Sequence, residues 1–334
     1  MNLPPETYLS VPHHDMHAFI SAAGQAIGLP EDKAAFLAQR LVDNDLRGVF
    51  SHGSQRFPIY VRQFRNGELN PDPQVTIVKE TPISLLVDGD GGLGYYPAYH
   101  GTLSLIEKAT TAGIAVLLTR NHGHIGAAGI YSRLTLDHDL LCFVTSGHQL
   151  SLSPGQPIFE AAGGSPFSFS APTQAEDPLV LDFGTMHDLY ASSPYRDEIA
   201  RKTPGIVFRS IGMGAICQSW GGLLAGVPLD PDRARREYPG ANQGALVIAF
   251  QIALFTPPDQ FKREMDAYVR AVSALQPLEG FDRSYLPGGV EAARERLYRQ
   301  QGIPVGPEHR QALQTVADEL GLRPPWENSS NLFP

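Results

Sequence analysis

The hydrophobic period of this chain changes twice, and that change constrains its fold more than any single motif. Over the first seventy of 334 residues, apolar side chains recur three and four apart. Phe19, Ile20, Ala23 and Ile27 form one stripe in a predicted helix over residues 11–27 that stops at Gly28. Pro30 then opens a second helix carrying Ala34, Leu37 and Leu41. Asn70-Pro71-Asp72-Pro73 ends the pattern. From Val75 the apolar runs become short and β-rich, at residues 83–87, 114–119, 140–145, 167–171, 179–183 and 245–255. Helical candidates at 98–112, 127–137 and 259–275 lie among them. After Leu286-Pro287-Gly288-Gly289 the helical period returns, with one helix to Gln301 and another over 307–320 closed by Gly321.

Strands alternating with helices make residues 75–279 an α/β sheet domain, and residues 1–74 with 280–334 a helical one. Some connections are long enough for a helical crossover and others too short, so a mixed sheet is expected rather than a purely parallel one.

The composition is globular, 42% hydrophobic and 18% charged. The formal charge is −9 with basic residues dispersed, so no nucleic-acid partner is expected. An anionic substrate then needs a local basic pocket. The start of the chain lacks a charged flank before an apolar core, and the longest apolar stretch, residues 245–255, is too short to span a bilayer. No targeting or membrane segment is expected. Cys142 and Cys217 sit in apolar runs, as buried thiols of a reducing compartment do, which points to the cytoplasm.

Functional residues concentrate in Arg47-Gly48-Val49-Phe50-Ser51-His52-Gly53 and the following Arg56-Phe57-Pro58-Ile59-Tyr60. A histidine titrates near neutral pH and exchanges a proton with a carbonyl; an arginine grips a carboxylate through two parallel hydrogen bonds. With a helix starting near Ser54, Pro58 falls in its first turn and Arg56 and Tyr60 share a face. Each has a plainer alternative: a backbone-bonded loop histidine, a surface ion pair for Arg56, core packing for Tyr60.

His122 and His124 lie in Asn121-His122-Gly123-His124-Ile125-Gly126, at the end of a predicted strand, where α/β proteins place active sites. No HExxH or CxxC spacing supplies further ligands, so no metal is expected. His148 is either a cavity residue or an ordinary loop residue. Asp182 orients a histidine, bonds a cofactor or caps a turn. Arg209 either binds phosphate or forms a surface pair. Gly89-Asp90-Gly91-Gly92-Leu93-Gly94 satisfies the dinucleotide spacing GxGxxG. Tyr95-Tyr96-Pro97 delays its helix, however, and Arg120, a residue suited instead to a 2′-phosphate, stands where an acidic residue belongs; the plainer alternative is a Gly-rich turn between strand and helix.

Together these residues resemble the malate/L-lactate dehydrogenase family, the non-Rossmann NAD(P)-dependent oxidoreductases. The strongest block is Arg47 to Gly53 with Arg56-Phe57-Pro58 and Asn66-Gly67-Glu68-Leu69-Asn70-Pro71, nearest to the 2,3-diketo-L-gulonate reductase branch. Weaker blocks are residues 121–129, Gly163-Gly164-Ser165-Pro166, Leu181-Asp182-Phe183, residues 204–214 and Leu286-Pro287-Gly288-Gly289. The resemblance implies an α/β fold with a mixed, largely antiparallel sheet in a non-Rossmann nucleotide-binding domain, and a homodimer. It implies His52 as proton donor, Arg56 as carboxylate anchor, and His124 beside nicotinamide and substrate. Ser51, Tyr60 and His148 join the substrate side. NAD or NADP is expected near Leu181, Asp182, Phe183 and Gly184, near Phe208 and Arg209, and near Gly288 and Gly289, which makes Gly89 to Gly94 a decoy. The family's GTNP becomes Gly163-Gly164-Ser165-Pro166, its lysine becomes Arg209, and the segment between Asp182 and Pro204 is short. The expected reaction is reduction of a small 2-oxo acid, or cyclic imine carboxylate, with His52 or His124 as acid. The rivals are a non-redox isomerase, lyase or cyclase at the same site, a silent metabolite-binding protein, and a metal enzyme on His122 and His124.

Overall fold

A computed structural model describes residues 4–327. The chain forms two compact units, one running up to Asp72 and resuming at Gly289, the other Pro73–Gly288.

The first unit starts with a short strand β1 (Leu9–Val11), then helices α1 (His13–Ala26), α2 (Glu31–Leu46) and α3 (Phe57–Arg65). Pro12 separates β1 from α1, so Val11 is a strand residue and not the first of the helix as its period suggests. Pro30 directly precedes α2, as expected. α1 buries Met16, Phe19, Ile20 and Ala23, and α2 buries Ala34, Leu37, Ala38 and Leu41. A Cβ on Gly24 would lie 3.0 Å from that of Ala34, which marks where the two helices approach closely.

The second unit is built on a seven-stranded sheet. Its strands are β2 (Thr76–Thr81), β3 (Ser84–Asp88), β4 (Ile114–His122), β5 (Leu140–His148), β6 (Pro166–Ala171), β7 (Leu179–Gly184) and β8 (Gln243–Gln251). Their order is β2-β3-β4-β8-β5-β6-β7. Only β3 and β4 run parallel, joined by α4 (Tyr95–Ala112); the other pairs are antiparallel. The sheet is therefore mixed and largely antiparallel. Helix α5 (Gly129–Arg133) packs near β6, while α6 (Arg196–Lys202), α7 (Pro204–Ile216) and a π-helical turn (Cys217–Leu223) follow β7. Helix α8 (Pro258–Ser273) comes after β8.

Several local expectations give way to tertiary structure. The apolar run 245–255 is a strand only to Gln251 and then turns into a 3-10 helix, Ile252–Leu254. The expected helix over 127–137 shrinks to α5 and a 3-10 turn, Leu136–His138. Strand β2 is an edge strand exposed along nearly its whole length, so it carries no alternating apolar signal. Cys142 and Cys217 are both buried free thiols.

The first unit closes with α9 (Gly289–Gln301), β9 (Ile303–Val305) and α10 (Pro307–Leu320). β9 pairs antiparallel with β1, Leu9 opposite Val305. This returns the C-terminal stretch to the N-terminal helices and brings His309 of α10 beneath the segment that bears His52.

Candidate active site

The His52 segment is held from below by a buried polar network. Gly48 ends α2 in the left-handed region, φ 71°, with the Arg294 side chain where a Cβ would stand. Arg47 pairs with Glu295 at 3.0 Å. Beyond them Phe50–His52 and Ser54–Arg56 form successive 3-10 turns that lead into α3, with Pro58 in its first turn as expected. Asn44 donates its amide to the His52 carbonyl at 2.9 Å. Asp45 is fully buried and accepts the Ser54 N–H on both oxygens, at 3.1 and 3.0 Å. The Ser54 hydroxyl meets His309 Nε2 at 2.9 Å. Gly53 is required here because an added Cβ would lie 1.9 Å from Asp45 Oδ1.

Burial dominates the electrostatics of this network. Desolvation raises the Asp45 carboxyl to about 7 against the opposing Ser54 hydrogen bonds, and lowers His309 to about 4.

Above this platform Ser51 Oγ lies 3.0 Å from His52 Nδ1. Burial, and then the Arg56 cation, depress His52 to about 4, so its imidazole is neutral at physiological pH. Arg56 is half-buried, and its Nε is buried with no hydrogen-bond partner among the described residues. Tyr60 is fully buried.

In the second unit, His122 is a structural residue. It is fully buried between the Thr119 hydroxyl and the Gly123 carbonyl, each at 2.7 Å, and desolvation holds it at about 4. His124 is half-buried, and its carbonyl accepts the Gly94 N–H at 3.1 Å. At the end of β5, the His148 N–H bonds the Gln218 side chain at 3.0 Å, and its Nδ1 lies 3.4 Å from Ser165 Oγ. Gln218 reaches Ser165 Oγ at 2.9 Å. The sequence reading passed over Asn44, Asp45, Ser54, His309 and Gln218. Asp45 opens the His52 segment, but its role depends on burial, and His309 lies 255 positions from its partner.

The GxGxxG turn cannot cradle a phosphate. The amides of Gly89, Gly91 and Gly94 donate to the Arg120, Asn121 and His124 carbonyls, and that of Gly92 to the Gly89 carbonyl. A Cβ on Gly94 would meet Gly123 O, His122 Nδ1 and Ile125 Cγ2, each at 2.6 Å. The turn serves instead to lace the loop after β3 to the loop that carries His122 and His124.

The expected cofactor residues lie on β7, α7 and the Gly288 turn. Leu181, Phe183 and Gly184 are partly buried at the end of β7, and Phe183 stacks on the His187 ring at 5.2 Å. Asp182 Oδ2 accepts the Gly129 N–H at 2.7 Å, the capping alternative. Phe208 and Arg209 are exposed on α7, and Arg209 pairs with no acid among the described residues. Gly288, at φ 98°, packs against the backbone of Pro178 and Val180, and Gly289 opens α9. No group of three potential metal ligands occurs among the described residues.

Comparison with known proteins places this architecture. The L-sulfolactate dehydrogenase of Methanocaldococcus jannaschii is 28% identical, the match covering 88% of this chain and 92% of that protein. The malate dehydrogenase of Pyrococcus abyssi is 26% identical, covering 95% and 97%. That alignment spans 353 positions, more than the 334 residues present, so the relative holds residues this chain lacks. The solved malate dehydrogenase of Pyrococcus horikoshii OT3 has the same fold, with a TM-score of 0.81 at 24% identity over 97% of this chain and 99% of that one. The malate/L-lactate dehydrogenase family model matches residues 11–187 and 205–314, leaving out only the short segment before α7 between them. On that match the chain belongs to the malate/L-lactate dehydrogenase family of oxidoreductases.

Proposed function

We propose that the protein is an NAD(P)-dependent oxidoreductase that interconverts a small 2-oxo acid, or cyclic imine carboxylate, with the corresponding 2-hydroxy or amino acid, working as a cytoplasmic homodimer. The observation that carries this reading is Arg56, whose buried Nε lacks a partner among the described residues, next to a histidine kept neutral. An unpaired buried donor on a cation costs free energy that a substrate carboxylate recovers. The relatives named for malate and L-sulfolactate support an acid of this class.

Binding and proton transfer are coupled in this arrangement. A carboxylate on Arg56 cancels the positive charge that depresses His52, so the imidazole becomes more basic when substrate arrives. In the direction of oxidation, neutral His52 removes the hydroxyl proton; in reduction it returns a proton to the C2 oxygen as negative charge develops there. Ser51 Oγ, at Nδ1, fixes the ring, and the proton exchange is assigned to Nε2. The network of Asn44, Asp45 and Ser54 keeps the backbone of this segment in place.

A nicotinamide dinucleotide supplies or accepts the hydride when bound. The residues expected to hold it suit the group: among the described residues Arg209 is an uncommitted cation for a phosphate, Phe208 is 68% exposed beside it, and the Thr185 hydroxyl after β7 is buried without a partner. His124 and His148 belong to the substrate side of this proposal.

The test is His52→Ala assayed with 2-oxo acids and cyclic imines, using both cofactors. A positioned general acid is worth roughly two to four decades of rate. Turnover should fall by that amount while NADH or NADPH still binds, as followed by cofactor fluorescence. Undiminished turnover removes His52 from the mechanism. A wild-type protein that binds neither cofactor supports the non-redox rival.

A further inference from the structure

A cleft of about 320 Å³ opens at the carboxyl ends of the parallel strands β3 and β4, wholly within the second unit. In α/β folds this end of the strands is where ligands collect, and the volume is at the lower end of small-molecule sites. Three arginines line it: Arg120 from the end of β4, and Arg235 and Arg236 from the loop before β8. The mechanism above uses none of them.

The hydrogen-bond accounts of this cleft are one-sided. Its acceptors are largely committed. Asp88 receives Arg120 Nε at 3.0 Å, Asn121 Nδ2 at 2.8 Å and the Asp90 N–H at 3.0 Å; Asp90 Oδ2 receives the Gln74 N–H at 2.9 Å. Its donors are largely idle. Each guanidinium carries five N–H bonds. Among the described residues Arg120 spends only Nε, Arg236 meets only the Gln149 side-chain oxygen at 2.9 Å, and Arg235 has no partner. One carboxylate, Glu237, remains uncommitted at the rim. Burial also lowers the pKa of the half-buried Arg236, as expected of a cation without a compensating anion. Two wall residues, Asp90 (φ 48°) and Asn121 (φ 54°), hold left-handed backbone that non-glycine residues seldom adopt, a cost that clusters at ligand sites.

We propose that this cleft is a binding site for a phosphate monoester, gripped by Arg235 and Arg236 with the terminal amino groups of Arg120. A phosphate offers three acceptor oxygens on one tetrahedron, which suits three planar donor forks better than a two-oxygen carboxylate does. The ligand is either a separate phosphorylated metabolite or the 2′-phosphate of a nicotinamide cofactor.

The test uses the full-length protein with inorganic phosphate, 5′-AMP and 2′,5′-ADP, read by calorimetry and thermal shift. Wild type should bind at least one of the esters, and the double variant Arg235→Ala/Arg236→Ala should bind it at least about tenfold more weakly, the loss of charge-assisted hydrogen bonds. Arg235→Ala alone serves as the folding-neutral control, since that side chain is exposed and unpartnered, and should weaken binding in the same direction. Competition of 2′,5′-ADP with NADPH identifies the cofactor as the source; AMP binding that leaves NADPH and NADH titrations unchanged identifies a separate ligand. No binding by wild type, or binding by the double variant as tight as by wild type, overturns the proposal. Neither result touches the His52 assay, so the two readings fail independently.

Discussion

Asp45 makes stability depend on pH in a direction opposite to most native carboxylates. Its side chain is fully buried, its partners are the Ser54 amide and hydroxyl, and no cation pairs with it among the described residues. Folding moves its pKa from 3.8 to about 7. The folded chain therefore holds a proton that the unfolded chain releases between those values, and stability falls as pH rises through that window. At about 1.4 kcal/mol per pH unit the full loss is about 4 kcal/mol, of which about 3 kcal/mol falls between pH 4.5 and 8. Asp45→Asn fixes the neutral form. His122 and His309, held at about 4, act the other way: their stabilisation is complete above 6.5 and is lost as pH falls towards 4. They are present in both proteins and largely cancel in the difference. Urea unfolding followed by circular dichroism, across pH 4.5 to 8.5 on both proteins, should show wild type losing about 3 kcal/mol relative to Asp45→Asn. A difference that stays flat, or that favours wild type as pH rises, refutes the assignment of a lone buried carboxyl under the His52 segment.

Two further outcomes follow from the same platform. Gly53→Ala drives a methyl group into Asp45 Oδ1 and should cost about 1–3 kcal/mol, measured as a lower Tm, with loss of activity because His52 is the neighbouring residue. If Arg56 anchors the substrate as proposed, Arg56→Ala removes a charge-assisted carboxylate contact worth about 1.5–3 kcal/mol, and KM for the acid should rise roughly ten- to hundredfold. The same variant removes the cation that depresses His52, so the lower limb of its pH–rate profile should move to higher pH; an unmoved limb separates the two residues.

The opening helices, the break at Asn70–Pro73, the central strands and the closing helices could all be read from periodicity and turn residues, because each depends on spacing within about twenty residues. The α6 and α7 helices could not. Their residues bury little surface, and the cluster of Ala162, Met186, Leu189 and Val207 that supports them is drawn from three separate stretches. Asp182 was open to three readings, and the capping contact to Gly129 spans 53 positions. Spacing alone did not separate His122 from His124; burial between Thr119 and Gly123 gives His122 its structural role.

Residue type and a spacing of four were enough to single out His52 and Arg56 as the proposed acid and anchor, and periodicity was enough for a helical frame around a mixed sheet. What those residues rest on, and the titration of His52, depend on the folded chain. The Asp45, Ser54 and His309 network joins positions 9 and 255 apart. The neutrality of His52 arises from desolvation and a neighbouring charge, and both exist only once the chain has closed around them.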